Sequence, residues 1–318
     1  MNDLLALRLF LAIADTNSFT RAAQRLGLTP AAASRKLSAL EAEVGQRLFQ
    51  RSTRQVSLTE QGANLRPHAQ AVIDALEQAD EVMRGAAARP AGRLRVSSRA
   101  GVGRRLLLPW LAEFRATYPD VTVGLELVHE RTKDLFASGC DVAVTIGQLG
   151  DSNLVARRLA ETDSHILASP GYLARHGTPR TAEDLAEHAC LTMNAISGNA
   201  VWRLSKDGQR YDVAIRAPLA IDDADALLAC AIADQGVVLL ADWFALGAER
   251  SGRLVRILDD YQIEPRGTPI TALYASRSYV PLKVRAFLDF YAERIARMFD
   301  STWGFAVDEA EVLRLVGE

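Results

Sequence analysis

Apolar residues in the first sixty positions recur at helical spacing in three short blocks. Leu7, Phe10, Leu11 and Ala14 fall at i, i+3, i+4 and i+7, so residues 4–15 are predicted to form a helix with one inward face. A second helix starts at Ser18 or Thr20, either of which can cap it, turns Ala22, Ala23 and Leu26 inward, and stops at Gly27. Thr29 caps a third, and Pro30 suits its first position, where the missing N–H would have been unpaired anyway. Ala33, Leu37, Leu40 and Val44 point inward and Gly45 ends the helix, leaving Ala31, Ala32, Ser34, Arg35, Lys36 and Ser38 near the other side. Two helices joined by a tight turn, the second with a small, polar and basic outer surface, make a helix-turn-helix. On such a hairpin alone, Arg35 and Lys36 read equally as a solvated face. The next segment shifts the balance: residues 48–50 and 55–57 predict a short hairpin around Arg51-Ser52-Thr53-Arg54, a cationic tip suited to a narrow, electronegative minor groove.

From Thr59 to Arg84 the only helix-breaking residues are Gly62 and Pro67, and Leu58, Gly62, Leu65, Ala69, Val72, Leu76, Ala79 and Met83 alternate at spacings of four and three. One amphipathic helix lying on its own domain would show a similar stripe. A seam this long and narrow, flanked by Glu77, Asp80, Glu81 and Arg84, fits a pair of helices better, so Leu65, Ala69, Val72, Leu76, Ala79 and Met83 are the expected dimerisation residues. Pro67 removes one donor and is expected to bend the helix locally.

Small residues with Pro90 and Gly92 mark a linker at 85–92, after which the period changes. Residues 94–97, 121–127 and 141–147 read as strands, separated by helical stretches at 103–117 and 132–138. That βαβαβ order implies a parallel sheet. A second set follows, with strands at 166–168, 190–193, 213–215 and 236–241 and helices after Pro170 and at 223–234. A strand at 270–274 and a helix at 280–298 can complete the first sheet, giving two α/β lobes with crossings near 163–168 and 266–269.

Composition narrows the function. With 318 residues, 49% hydrophobic and 24% charged, the chain is long enough for two or three cored domains. Charge begins at Asp3 and no apolar run approaches membrane-spanning length, so a cytoplasmic protein without signal peptide or membrane anchor is expected. The net charge of −2 conceals an asymmetry: residues 1–58 carry eight Lys/Arg against four Asp/Glu, a net +4, and the remainder carries −6. Only the N-terminal part invites a polyanion. Cys140, Cys190 and Cys230 lack C-x-x-C spacing and read as buried, reduced thiols, and the five histidines are scattered. No nucleotide-binding, zinc-protease or nucleophile-elbow motif occurs, so neither an enzyme nor a bound cofactor or metal is expected.

The segments Leu7-Arg8-Leu9-Phe10, Ser18-Phe19-Thr20-Arg21-Ala22-Ala23, Leu26-Gly27-Leu28-Thr29, Ser34-Arg35-Lys36-Leu37, Leu40-Glu41, Leu48-Phe49-Gln50-Arg51 and Leu58-Thr59-Glu60-Gln61-Gly62, in this order, resemble the DNA-binding domain of LysR-type transcriptional regulators. Phe114-Arg115-Ala116-Thr117-Tyr118-Pro119-Asp120-Val121, Asp141-Val142-Ala143-Val144, Ala168-Ser169-Pro170-Gly171-Tyr172-Leu173 and Pro281-Leu282-Lys283-Val284-Arg285-Ala286-Phe287 are similar to the effector domain of that family. The resemblance implies a multi-domain chain: an α-rich winged helix-turn-helix over 1–59, a long linker and dimerisation helix over 60–88, and an effector-binding domain over 89–300. The last has two Rossmann-like α/β lobes of the type II periplasmic-binding-protein-like fold, lobe I at 92–164 and 267–300 and lobe II at 165–266. Residues 301–318 form a C-terminal extension, where Val312, Leu313 and Val316 allow one amphipathic helix of unassigned role.

The same resemblance places Ala31, Ala32, Ser34 and Arg35 in the major groove of double-stranded DNA, Thr20, Lys36 and Ser38 on or near phosphates, and Arg51, Thr53 and Arg54 on the wing. It also implies a pseudo-palindromic promoter site, a homodimer that commonly pairs into a tetramer, and RNA polymerase as a further partner. Where the family often opens the recognition helix with Gln-Pro or Gln-Ser, this chain has Pro30-Ala31, losing an amide that could pair with adenine and shifting direct readout toward Arg35. In a doubly wound sheet, ligands sit at the carboxyl ends of strands. That rule nominates Ser98, Arg99 and Gly101 after the first strand, His129 and Arg131 after the second, Gly147 and Gln148 after the third, and Asn194 and Asp222 from the other lobe. Arg99 beside a helix start suggests a carboxylate-bearing effector, although Arg99 and Arg131 read equally as surface charges. A solute-binding protein would explain the lobes but not the basic winged helix. A regulator whose second domain serves oligomerisation without sensing is the competing expectation.

Overall fold

Local capping sets out the N-terminal helices of the computed structural model, which describes residues 3–51, 56–84, 89–128, 140–149, 154–193, 199–275 and 279–299. Asp3 accepts from the Ala6 amide at 3.1 Å and starts α1 (Leu4–Thr16). Of the two candidate caps for α2 (Phe19–Arg25), Ser18 is used, accepting from the Arg21 N–H at 3.3 Å. Thr29 accepts from the Ala32 N–H at 3.2 Å, and α3 (Pro30–Val44) follows with Pro30 in its first turn and Gly45 at its end. The chain divides into two units, Met1–Arg89 and Pro90–Glu318.

In the first unit Leu7, Phe10, Ala22, Ala23, Leu37 and Leu40 are buried against Leu48 and Phe49, with the Phe10 and Phe49 rings 5.4 Å apart. Each fully buried Leu or Phe contributes roughly 1.5–3 kcal/mol, which gives three short helices a usable core. β1 (Phe49–Arg51) and β2 (Val56–Leu58) pair antiparallel, one residue further along the chain than the sequence pattern suggests, because Leu48 turns into the core. The Glu41 carboxylate, at the far end of α3, accepts from the Leu48 N–H at 2.8 Å and the Phe49 N–H at 3.3 Å. Thr59 fixes the other end of the wing: its hydroxyl donates to the Arg47 carbonyl at 2.7 Å and accepts from the Gly62 N–H at 3.0 Å.

α4 (Glu60–Arg84) runs through Pro67 as one 25-residue helix. Its apolar seam divides in two. Ala69 (1% exposed) and Ile73 (6%) belong to the core of the N-terminal unit, with Leu65 packed beside them, and Arg66 pairs with Asp15 of α1 at 3.0 Å. Leu65 and Ala69, expected at a dimer seam, therefore face their own domain. Val72 (39%) and Met83 (86%) are exposed, as is Ala79, and Leu76 is half-buried.

The second unit opens with β3 (Gly92–Arg99), α5 (Ala100–Val102), a π-helical turn at Gly103–Leu107, α6 (Leu108–Thr117), β4 (Val121–Val128) and β5 (Val142–Ile146). β6 (Val155–Thr162) and β7 (Ser164–Ala168) precede α7 (Pro170–His176), a 3₁₀ turn at Glu183–Glu187, β8 (Ala189–Thr192), β9 (Asn199–Lys206) and β10 (Gln209–Ala220). Then come α8 (Ala224–Ile232), β11 (Val237–Ala241), α9 (Asp242–Arg250), β12 (Val255–Ile257), β13 (Gln262–Ile263), β14 (Thr268–Tyr274) and α10 (Leu282–Phe299). The sequence pattern does not single out β6, β9, α9, β12 or β13, and the expected helix at 132–138 and the extension at 301–318 lie outside the described residues.

Two mixed sheets result. The first has the order β4-β3-β5-β14-β6, with β3 parallel to β4 and β5 as the βαβ pattern requires, and the returning β14 antiparallel to both neighbours. The second runs β12-β7-β11-β8-β10-β9-β13, with β8 parallel to β10 and β11. The chain crosses between them at Asp163 and again between β13 and β14. The Asp163 carboxylate accepts from the Gly267 N–H at 2.8 Å and its carbonyl from the Asp242 N–H at 3.0 Å, so both crossings and the start of α9 are tied to one residue. Phe114 of α6 packs against Phe287, Phe290 and Tyr291 of α10, and the buried Tyr291 hydroxyl donates to the Leu107 carbonyl at 3.1 Å. The three cysteines are thiols, not disulfides: Cys190 is buried, but Cys140 and Cys230 are only partly so, and burial pushes the Cys140 and Cys190 thiols up to about 12. No helix among the described residues is long and apolar enough to cross a membrane.

Candidate nucleic-acid interface and ligand cleft

Helix α3 turns Ala33, Leu37 and Leu40 into the core, and this fixes what its opposite side presents. Ala31, Arg35 and Ser38 are exposed at i, i+4 and i+7, and Ala32, Ser34 and Lys36 are half-exposed at the flanks. Thr20 is exposed in the first turn of α2. Arg51 ends β1, while Thr53 and Arg54 lie outside the described residues. Lys36 already has a partner: its ammonium is 2.5 Å from Asp3, and the side chains are 27% and 47% exposed. The hydrogen bond from Lys36, with that from the Ala6 amide, holds the Asp3 carboxyl below the usual carboxylate range. Any DNA phosphate must compete with Asp3 for this lysine. Asp3→Asn keeps a good helix cap and removes the competing charge. Binding to any duplex is expected to tighten about two- to fivefold at low salt, and the log–log salt slope to steepen by about one. Equal slopes for the two proteins in a salt titration would rule the competition out.

Between the sheets of the second unit lies a cavity of about 240 Å³. Arg99 and Gly101, with Ala100 and Val102, line it at the carboxyl end of β3, and Val128 and Ile146 close the ends of β4 and β5. From the other lobe come Met193, Asp222 and Asp223, the end of β11, and Trp243 and Phe244 of α9. Of the residues nominated by strand-end position, Arg99, Gly101 and Asp222 thus meet in one space. Ser98 does not: it is fully buried and its hydroxyl donates to the Val144 and Arg99 carbonyls, both at 3.2 Å. Gly147 gives its N–H to the Pro269 carbonyl at 3.0 Å and, like the exposed Gln148, is not in the lining. His129, Arg131 and Asn194 fall outside the described residues.

Arg99 is the one cation among the described lining residues, and its guanidinium has no partner among the described residues. Asp223 caps α8 through the Ala226 N–H at 2.9 Å and accepts from Arg104 at 3.0 Å. Arg104 also donates to Asp225 at 2.8 Å, and Arg105 reaches the same carboxylate at 2.8 Å while lying 4.1 Å from the centre of the Phe244 ring. These contacts join the first lobe to the second beside the cavity. Burial alone would disfavour the charge on Arg104, but Asp225 and Asp223 outweigh it and hold the guanidinium protonated. Sequence reasoning missed Asp223, Trp243 and Phe244. The strand-end rule applied to the recognised strand at 236–241 points straight at the last two. Among the described residues no cluster of His, Cys, Asp or Glu could hold a metal ion.

Known proteins fit this division into parts. Residues 4–63 match the bacterial regulatory helix-turn-helix protein model of the lysR family, and residues 87–296 match the LysR substrate binding domain. The HTH-type transcriptional regulator CrgA of Neisseria meningitidis serogroup C (strain 8013) is 33% identical over 289 residues, spanning 91% of this chain and 96% of that protein. An HTH-type transcriptional repressor of Pseudomonas aeruginosa (strain UCBPP-PA14) is 31% identical over 300 residues, or 93% of each chain. Among solved structures, CrgA of Neisseria meningitidis aligns with a TM-score of 0.60 at 32% identity, covering 93% of this chain and 99% of its own. The full-length Vibrio cholerae virulence activator AphB aligns at 0.58 with 26% identity, covering 92% and 99%. These relatives are transcriptional regulators, not enzymes. With a helix-turn-helix that presents a basic outer face and two α/β lobes enclosing a cavity, the chain belongs to the LysR family of DNA-binding transcriptional regulators with an effector-binding domain.

Proposed function

We propose that this regulator's hold on promoter DNA is set by a small organic anion, a carboxylate in the simplest case, bound in the cavity between the two lobes. The observation that carries the reading is Arg99, a cation with no partner among the described residues, in a mostly apolar lining. Arg99 is half-exposed, so water solvates its charge in the free protein and an anion entering the cavity can take the place of that water. The Asp163 crossing and the Arg104–Asp223 contact join the two lobes around the same cavity, so occupancy alters how they pack.

On the DNA side, Ala31, Ala32, Ser34 and Arg35 face the major groove, Thr20, Lys36 and Ser38 approach phosphates, and the wing with Arg51, Thr53 and Arg54 reaches the minor groove. Two copies joined through Val72, Leu76, Ala79 and Met83 of α4 would read half-sites about 34 Å apart, or a multiple of that. The exposure of Val72 and Met83 supports this pairing, since apolar side chains on a solvent-facing helix favour burial against a partner. Pairing of dimers into tetramers and contact with RNA polymerase follow from the family likeness. The domain limits of this reading are 1–59, 60–88, 89–300 and 301–318.

Footprinting of the promoter region beside the gene, with and without a panel of small organic acids, tests the reading. A footprint that changes with one acid, and no longer changes in Arg99→Gln, is the expected result. If no compound alters the footprint of a protein that still oligomerises, the second domain serves assembly alone.

A further inference from the structure

The cavity wall is aromatic on one side, and its details specify more than an anion. Trp243 and Phe244 meet at 70° with ring centroids 5.3 Å apart, forming a flat-sided corner. Phe244 is fixed there from two directions. Arg105 covers its ring at 4.1 Å, and Gly101 comes so close that a Cβ on it would lie 2.9 Å from the ring edge. A corner held this firmly prefers a rigid, planar occupant, because aromatic pairs gain from offset or edge-to-face contact and a rigid ligand loses little entropy on binding.

Trp243 adds a polar requirement. It is 6% exposed, it lines the cavity, and its indole N–H is buried with no hydrogen-bond partner among the described residues. Buried donors are almost always paired in folded proteins, so a donor left single beside a cavity marks a place for an acceptor.

Resting on the cleft as the effector site, we infer that the effector is an aromatic monocarboxylate. Its carboxylate meets Arg99, its ring lies in the Trp243–Phe244 corner, and one of its oxygens accepts from the Trp243 indole. A small hydrophilic diacid would leave the corner unfilled. A cation would leave Arg99 unpaired, and a neutral aromatic amide would lose the ion pair.

The test uses the full-length protein with phenylacetate, cinnamate, succinate, phenylacetamide and phenethylamine as probes, read by melting temperature and by intrinsic tryptophan fluorescence. Only the two aromatic acids are expected to raise the melting temperature and perturb fluorescence. Arg99→Gln should abolish both effects, and Trp243→Phe should weaken binding about ten- to a hundredfold, the loss of one hydrogen bond to a charged group. Melting of each variant without ligand, together with its binding to duplex DNA, controls for folding. Stabilisation by succinate or phenethylamine that Arg99→Gln or Gly101→Val abolishes overturns the ligand class and leaves the cleft as a binding site. Aromatic acids that bind both variants with wild-type affinity overturn the placement in the cleft itself, and no response to any probe at millimolar concentration overturns the aromatic-acid assignment.

Discussion

Replacing Gly62 with alanine is expected to destabilise the DNA-binding unit, although alanine is the better helix former by about 1 kcal/mol. Gly62 sits in the first turn of α4, where the helix passes over the start of the wing. A Cβ on it would fall 2.1 Å from the Leu48 carbonyl oxygen and 3.0 Å from Leu58. The obstacle is backbone and cannot rotate away. The same Leu48 carbonyl accepts from the Thr59 N–H at 3.0 Å, so moving it also strains the joint between wing and helix. Overpacking costs about 1–3 kcal/mol and a weakened hydrogen bond about 1 kcal/mol. Set against the propensity gain, the net loss is about 2 kcal/mol. In a domain of this size that lowers the melting temperature by roughly ten degrees. Calorimetry on the full-length protein should show the shift in one transition, and DNA affinity should fall with it because Leu48 also sets the start of β1. A melting temperature that stays level or rises would mean that α4 and the wing do not approach this closely.

Gly62 also illustrates what the sequence makes legible. It appears in the Leu58-Thr59-Glu60-Gln61-Gly62 motif, yet no pattern along the chain reveals that a carbonyl fourteen positions earlier excludes a side chain there. Features governed by neighbours in sequence were readable. Ser18, Thr29 and Gly45 bound helices where their side chains or backbone freedom predict, and the βαβ order yields the parallel part of the first sheet. Features governed by distant packing were not. Helical periodicity identifies the apolar face of α4 but not what covers it. At 1.5 Å per residue the helix is about 37 Å long, longer than a three-helix domain can cover. Ala69 and Ile73 lie on its own core, while Val72 faces outward between them and Val82 and Met83, near the end of the helix, lie outside.

In the second unit, β9 alternates buried Trp202 and Leu204 with exposed Val201, and the Asp207-Gly208 turn that joins it to β10 is a strong hairpin signal. Both central residues have positive φ, 51° and 79°, as a tight turn of the primed type requires. This hairpin is thus encoded locally, in the turn dipeptide itself. The cavity is a mixed case. Position at a strand end selects Arg99, Gly101 and Asp222, but it also selects Ser98 and Gly147, whose hydroxyl and N–H the sheets themselves use. Strand ends say where a pocket opens. Whether a side chain faces it depends on the parity of the strand and on hydrogen bonds that only the folded chain defines.

The other large effect is expected at Arg35. On the outward side of α3 the exposed row is Ala31, Arg35 and Ser38, and the two flanking alanines can offer thymine methyl groups nothing more than apolar contact. On the proposed placement of α3 in the major groove, base-edge hydrogen bonding would be concentrated in Arg35, with the serines as short-range helpers. Removing a bidentate arginine costs about 1–3 kcal/mol of discrimination at each half-site, and in the proposed dimer that loss would count twice. Arg35→Ala should accordingly weaken binding to the cognate promoter by one to several orders of magnitude while leaving random-sequence binding nearly intact. Lys36→Ala should act in the opposite sense, weakening all duplexes alike and reducing the salt slope by about one. Its effect should be muted to the extent that breaking the Lys36–Asp3 pair already offsets part of the phosphate contact in the unsubstituted protein. Selection from a randomised duplex pool at two salt concentrations separates the two roles. Sequence preference retained in Arg35→Ala but relaxed in Lys36→Ala would move base reading one position along the helix and overturn the assignment. The missing glutamine at the helix start makes this contrast sharper than it would be with an amide at position 30 or 31, because no second bidentate side chain stands by to preserve specificity when Arg35 is gone.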